Sequence, residues 1–339
     1  MNSIGVDLHQ KIITVCVLDE GLRPVAQKTL YCQKPDQIVE FFRQFEHFQV
    51  VVEATASYQW FVDLVEPFAD KVVLANPKKL RVIAESTKKT DRLDAHVLAE
   101  FLARDMVPQA HMPTPRQRQH RALVRHRQYI QGRMTAVRNK LRRVLSDYNA
   151  DRRDLFTVAN RREYTKQLPL SDADRFVVDQ LWADHEHFAE QLLKLGKMLK
   201  EFAKKAPHRE KEAREVLKTI PGVGSVTIDV LLSELGDIAR FRNAKAVCAY
   251  AGLAPIVRQS GGKKSKDLSI SKEGSSLLRW VLVEAGWRVV RTSPKWNRTY
   301  ERIAKRTKGK RAIVAIARKL LCVVYAMLKT MTPYRILAA

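Results

Sequence analysis

The alternation of apolar and polar positions changes character once along this chain. Residues 2–7 (Asn-Ser-Ile-Gly-Val-Asp), 11–18 (Lys-Ile-Ile-Thr-Val-Cys-Val-Leu) and 24–31 are short apolar or β-branched runs separated by turns, and they predict three strands. Between Asp36 and His47, Ile38, Phe41, Phe42 and Phe45 recur at a helical period. Phe48–Ala54 is a continuous β-branched and apolar run, the pattern of a buried strand. A helix from Tyr58 and a second buried strand, Lys71–Ala75, follow, and Asn76-Pro77 ends that strand. Asp91–Arg104 reads as a helix. Three consecutive strands followed by alternating helix and strand predict a mixed α/β sheet covered by helices.

From Pro113 the period becomes seven. Leu123, Ile130, Val137 and Val144 recur at heptad spacing, with Met134, Leu141 and Tyr148 between them, on a very basic helix. Leu181, Phe188, Leu195 and Phe202, with Leu192 and Leu199, make a second such run. Two heptad helices joined by a polar segment (149–171) predict an antiparallel hairpin or a dimerising coiled coil; an intermolecular seam is the preferred expectation, and a bundle within one protomer is the alternative. Further on, Ile220-Pro221-Gly222-Val223-Gly224 lies between helical stretches. It reads as a helix-hairpin-helix turn, where Gly222 and Gly224 allow close backbone approach to a phosphate, or as a plain helix–helix turn. Asn243–Ala251 is helical, Gly252–Asp267 is a Gly/Ser/Lys loop, and helices are predicted at Lys272–Val290 and Arg311–Met327.

The 339 residues suffice for two or three domains. The longest apolar run, Leu320–Leu328, is far below the roughly 18–20 residues of a membrane span. No secretory signal is read at the N-terminus, and Cys16, Cys32, Cys248 and Cys322 are too scattered for a zinc site or a disulfide framework, so a reduced, cytoplasmic protein is expected. Charge is the informative quantity. The net +25 is uneven: residues 1–112 hold 13 Lys+Arg against 15 Asp+Glu, and residues 113–339 hold 48 against 21. A near-neutral module joined to a strongly basic one points to nucleic acid, since neutralised phosphates release condensed counterions. An anionic membrane would call for one basic amphipathic helix instead.

Four acids stand at informative places. Asp7 ends the first strand, Glu53 closes a strand that reads as buried, and Asp91 and Asp94 share one face at a helix start. Converging carboxylates make a hard oxygen site suited to Mg²⁺. Each also has a structural reading: Asp7 as turn former, Asp91 as N-cap, Asp94 as first-turn acid. Glu53 resists one, because an unpaired buried charge is costly. His9 is a weaker candidate for the same site and reads rather as a solvated turn residue, and Trp287 and Trp296 read as base-stacking candidates or core.

In order and setting, Asp7, Glu53, Asp91 and Asp94 resemble the DEDD tetrad of a RuvC-like, RNase H-like domain. Ile220-Pro-Gly-Val-Gly, Ala249-Tyr-Ala-Gly-Leu-Ala-Pro255, Ser260-Gly261, Ser271-Lys-Glu-Gly274 and Leu278-Arg279 extend the likeness. Together they resemble the transposases of insertion-sequence family 110 and the related pilin-gene invertases. The resemblance implies a DEDD catalytic domain (1–112), a coiled-coil dimerisation region (113–210) and a helical transposase domain (211–339). It implies strand exchange on target and donor DNA through a serine nucleophile, which falls on Ser260, beside Mg²⁺ held by the four acids. It also implies guidance by a structured non-coding bridge RNA, and a homodimer assembling to a tetramer. Lys263, Lys264, Lys266, Lys272 and Arg279 are candidate phosphate contacts around Ser260, with ordinary solvated charge as the alternative for Lys272 and Arg279. Two other readings stand beside this one: a RuvC-like nuclease using water, in which Ser260 is only a loop residue, and a nucleic-acid-binding protein without chemistry.

Overall fold

The first strands form where β-branched residues meet tight turns. β1 (Asn2–Leu8) pairs antiparallel with β2 (Ile12–Leu18), which pairs antiparallel with β3 (Pro24–Tyr31). The chain then passes through α1 (Pro35–Phe42) to β4 (Phe48–Glu53), parallel to β1 on its other side. Through α2 (Tyr58–Val65) it reaches β5 (Lys71–Ala75), parallel to β4. The order β3-β2-β1-β4-β5, with an antiparallel triplet and two parallel crossovers, is that of an RNase H-like sheet. α3 (Pro77–Ile83) and α4 (Asp91–Ala103) complete this unit. The computed structural model describes residues 1–55, 57–83, 91–157, 161–256, 259–260, 263–264 and 269–335; side chains are described throughout these except at 81–83, 92, 161, 259–260 and 263–264.

Both faces of the sheet are covered, which is why β4 lacks polar alternation. On one face Ile4, Val6, Ile13, Val15, Val50 and Val52 pack against Phe41, Phe42, Phe61 and Val62 of α1 and α2. On the other, Val51 and Val73 meet Leu98 and Leu102 of α4, while Cys16 and Leu18 meet Ala95 and Ala99. Residues Met1–Met112 form one compact unit and Pro113–Ala339 a second.

The second unit is helical. Its elements are α5 (Pro115–Asp147), α6 (Arg161–Lys166), α7 (Asp172–Lys204), α8 (His208–Lys218), α9 (Ser225–Leu235), α10 (Ala244–Tyr250), the short pair β6 (Gln259–Ser260) and β7 (Lys263–Lys264), α11 (Ser276–Thr292), α12 (Pro294–Ala304) and α13 (Gly309–Thr330). The two 33-residue helices start on capping side chains: Thr114 Oγ1 accepts from the Gln117 amide, with Pro115 in the first turn, and Ser171 Oγ accepts from the Asp174 amide. Val137, Leu141 and Leu145 of α5 pack with Val178, Leu181 and Trp182 of α7, so this part of the heptad seam closes within one chain. The polar 149–171 segment, for which the pattern predicts no element, contributes α6. There the buried Thr165 hydroxyl accepts a 3.0 Å hydrogen bond from Trp182 Nε1.

α8, α9, α10, α11 and α13 enclose a core that Val124 of α5 and Leu199 of α7 also enter, so the long helices and the C-terminal helices share it. α11 begins four residues later than its apolar spacing predicts. Lys272 (φ 56°) and Gly274 (φ 92°) take left-handed backbone before it, and Ser275 Oγ caps it by accepting from the Leu278 amide. α12, also outside the predicted elements, opens on Pro294. The four cysteines are free thiols, with Cys248 and Cys322 Sγ 3.6 Å apart. No helix among the described residues is long and apolar enough to cross a membrane.

Candidate active site

The acidic site is built by strand register and one glycine. β1 and β4 run parallel with Val6 opposite Val52, so Asp7 and Glu53 are the next residues on neighbouring strand ends. Two positions before Asp7, Gly5 meets α4: a Cβ there would lie 2.0 Å from the Ala95 carbonyl oxygen. Side chains two apart on a strand share a face, so Asp7 points to the α4 side, where that helix starts with Asp91 and Asp94.

The structure adds a fifth residue. His9 Nε2 lies 3.1 Å from Asp7 Oδ2 and 3.3 Å from Asp91 Oδ1. The ligand atoms of Asp7, His9 and Asp91 all fall within 4.8 Å of one another. Asp7 is the most enclosed of the three, its side chain 19% exposed against 47% for His9 and 52% for Asp91. Burial pushes the Asp7 carboxyl above its ordinary range; His9 opposes the shift, and the negative charges of Asp91 and Asp94 add to it. Carboxylates crowded until one resists ionisation fit a divalent cation, which would relieve both the repulsion and the desolvation. Glu53 is half-buried at its strand end and is engaged in interactions of its own.

In the second unit, β6 and β7 pair antiparallel with Ser260 opposite Lys263. The side chains of Ser260, Lys263 and Lys264, and the whole of Lys266, lie outside the described residues. Lys272 is exposed, and its amide donates to the Gly252 carbonyl. Arg279 is half-buried and directs Nη1 at three backbone carbonyls, those of Ala251 (3.3 Å), Glu273 (3.4 Å) and Gly274 (3.1 Å). In this arrangement Arg279 ties the turn before α11 to the end of α10. Gly222 (φ 76°) packs on Arg288, leaving 2.7 Å between a Cβ there and that of Arg288, whereas Gly224 faces open space at the start of α9. Trp296 is buried, its Nε1 donating to Tyr334 Oη at 2.8 Å, and Trp287 packs beside Tyr300 against the core. Both tryptophans therefore serve packing.

Family profiles match both units. One, for transposases of the DEDD IS110 type, covers residues 4–150, and another, described as Transposase IS116/IS110/IS902 family, covers residues 214–301. The chain belongs to the IS110 family of transposases. Along 98% of its length it is 25% identical to the transposase for insertion sequence element IS1111A of Coxiella burnetii, covering 91% of that protein. Along the same share it is 27% identical to the pilin gene-inverting protein of Moraxella bovis and 25% identical to that of Moraxella lacunata, covering 97% of each.

The DEDD-type match spans Asp7, Glu53, Asp91 and Asp94, and the second match spans Gly222, Gly224, Ser260 and Arg279. Membership makes this a protein of DNA recombination, and transposases act on DNA. Sequence reasoning holds His9 to be only a weaker candidate and favours a solvated turn residue. Its available signal was the Asp7-x-His9 spacing: a residue two beyond a strand-end acid returns to the acid's side of the sheet.

Proposed function

We propose that this IS110-family protein exchanges DNA strands through a phosphoserine intermediate, with Ser260 as nucleophile and Asp7, Glu53, Asp91 and Asp94 as a divalent-metal site. The observation that carries the proposal is the convergence of Asp7 and Asp91 at the strand ends of an RNase H-like sheet. Asp7 is the half-buried anchor, and Asp91 and Asp94 arrive together on α4. Glu53 joins from the parallel strand. Mg²⁺ bound there would polarise a phosphodiester and offset the charge that develops on it.

In the proposed step the Ser260 Oγ attacks the scissile phosphorus. The Oγ–P bond forms, the P–O3′ bond breaks, the seryl proton is released, and the departing 3′ oxygen gains one. A second strand end reverses the step on a new partner, so atoms balance without an added energy source. Joining two duplexes takes more than one active site, which supports a homodimer assembling to a tetramer. The resemblance to transposases of this family supports a bridge RNA as guide for target and donor DNA.

The test is a denaturing gel for protein-linked DNA, using the purified protein, Mg²⁺, the element's flanking non-coding RNA and labelled junction DNA. Wild type is expected to form an adduct that both Ser260→Ala and Asp7→Asn lose. Cleavage without an adduct, indifferent to Ser260→Ala, would replace this proposal with a nuclease that activates water at the same acids. Omitting the RNA tests the guide.

A further inference from the structure

His9 is the one nitrogen donor in the described cluster of oxygens, and its place is set by the backbone. β1 ends at Leu8; the His9 amide donates to the Ile12 carbonyl at 3.0 Å, closing the turn to β2. The imidazole thereby reaches over the strand end, with Nε2 between Asp7 Oδ2 (3.1 Å) and Asp91 Oδ1 (3.3 Å). A single ring N–H aligns on one acceptor at a time. Three donor atoms within 4.8 Å of one another, two of them carboxylate oxygens, are an arrangement that one shared cation can satisfy.

We infer that His9 Nε2 is a direct ligand of the metal held by Asp7 and Asp91, making the centre a mixed nitrogen–oxygen site. Such a site favours a first-row transition cation over Mg²⁺. The inference rests on the metal reading of the acidic site and adds to it the ligand that sets which metal binds. Mg²⁺ is a hard cation that prefers oxygen donors and retains its waters. An imidazole ligand strengthens binding of first-row transition cations relative to it.

Mn²⁺ alone is the probe. Bound to the full-length protein it is followed by titration and by electron spin echo spectroscopy, which detects nitrogen coupled to the metal. Wild type is expected to bind Mn²⁺ with an imidazole nitrogen coupling. His9→Ala should abolish that coupling and weaken Mn²⁺ roughly tenfold or more, while Mg²⁺ affinity changes by less. Asp7→Asn, a control against the other histidines, should remove the coupled species altogether. Circular dichroism checks that the variants fold, which His9→Ala should, its side chain being 47% exposed. If wild type binds Mn²⁺ at a site that needs Asp7 but shows no nitrogen coupling, and His9→Ala binds equally, His9 is not a ligand and the acidic metal site stands. If binding is indifferent to Asp7→Asn, the metal reading itself fails and this inference with it.

Discussion

At Gly5 a Cβ would stand 2.0 Å from the Ala95 carbonyl oxygen and 2.4 Å from the Ala99 amide nitrogen, so α4 lies on β1 at a separation that only glycine allows. The obstacles are backbone atoms, and no side-chain rotation can clear them. Gly5→Ala must push α4 outward, at a cost of about 1–3 kcal/mol, the usual range for overpacking, or more. The same helix carries Asp91 and Asp94, and a displacement near 1 Å in a catalytic group can lower a rate roughly a hundredfold. The expected outcome is a variant that still folds, with a lower urea midpoint and a loss of recombination larger than the stability change explains. Normal activity in a stably folded Gly5→Ala protein would show that the placement of α4 does not limit the site. Cys16 pairs with Gly5 across the ladder and packs with Ala95 and Ala99, so the close approach extends to a second strand.

Among the elements, α5 shows how far a pattern can be read and where it stops. The heptads announce a long helix with one apolar stripe, but a stripe looks the same whether its complement lies on a second copy or further along the chain. Here Trp182, off the predicted heptad positions, and α6 close the lower part within the protomer. The arginines of α5 were equally ambiguous, since composition cannot separate an exposed guanidinium from one fastening two helices. Arg121 donates to the carbonyls of Ser233 and Glu234 and to Tyr250 Oη, and Arg125 makes a two-pronged pair with the buried Glu234. Arg116 lies 4.0 Å above the Phe202 ring and bonds Glu210. Burial works to raise the Glu210 carboxyl, but Arg116 and Arg214 together hold it below its ordinary range. At the centre, buried Asp229 accepts from Arg214 Nη1 at 2.7 Å and meets His120 Nε2 at 3.1 Å. Asp229→Ala takes from the buried Arg214 one of its two carboxylate partners, Glu210 remaining, and removes the partner of His120 as well; breaking a buried ion pair costs up to about 3–5 kcal/mol. A urea titration should show that loss, while Lys204→Ala, which removes an exposed pair with Glu201, leaves the midpoint where it is. By contrast, the strand ends of the acidic site were legible, because sheet periodicity assigns each side chain a face. His9 was legible only as a weaker candidate, because it lies past the last residue of β1, where the sheet period no longer fixes a face.

For the whole molecule, these pairings divide the positive charge of residues 113–339 into two populations: arginines fastening α5 to its neighbours, and charges left facing solvent. Part of the second population lines a groove of about 520 Å³ beside α7, α8 and α9: Lys200, Lys211 and Arg127 stand there with Lys204 and Lys218, which pair at the surface with Glu201 and Glu215, while Arg214 in the groove wall is buried and paired. Ser225, at the first turn of α9, opens into it from the Gly222–Gly224 turn. Lys200 and Lys211 are exposed there. If this face meets the phosphates, DNA binding should weaken linearly in log–log with salt, and six to ten contacts would lose roughly 10³–10⁵ in affinity between about 50 and 200 mM. The two populations then separate by slope rather than by affinity alone. Lys200→Gln with Lys211→Gln should weaken binding to unrelated duplexes alike and flatten the salt slope by about one unit per lost contact, with the urea midpoint unchanged. Arg121→Ala should do the reverse, lowering the midpoint and leaving the slope intact, because its hydrogen bonds run to the chain itself. An unchanged slope in the lysine double variant would place the nucleic-acid face elsewhere on the basic unit, however tightly the protein still bound.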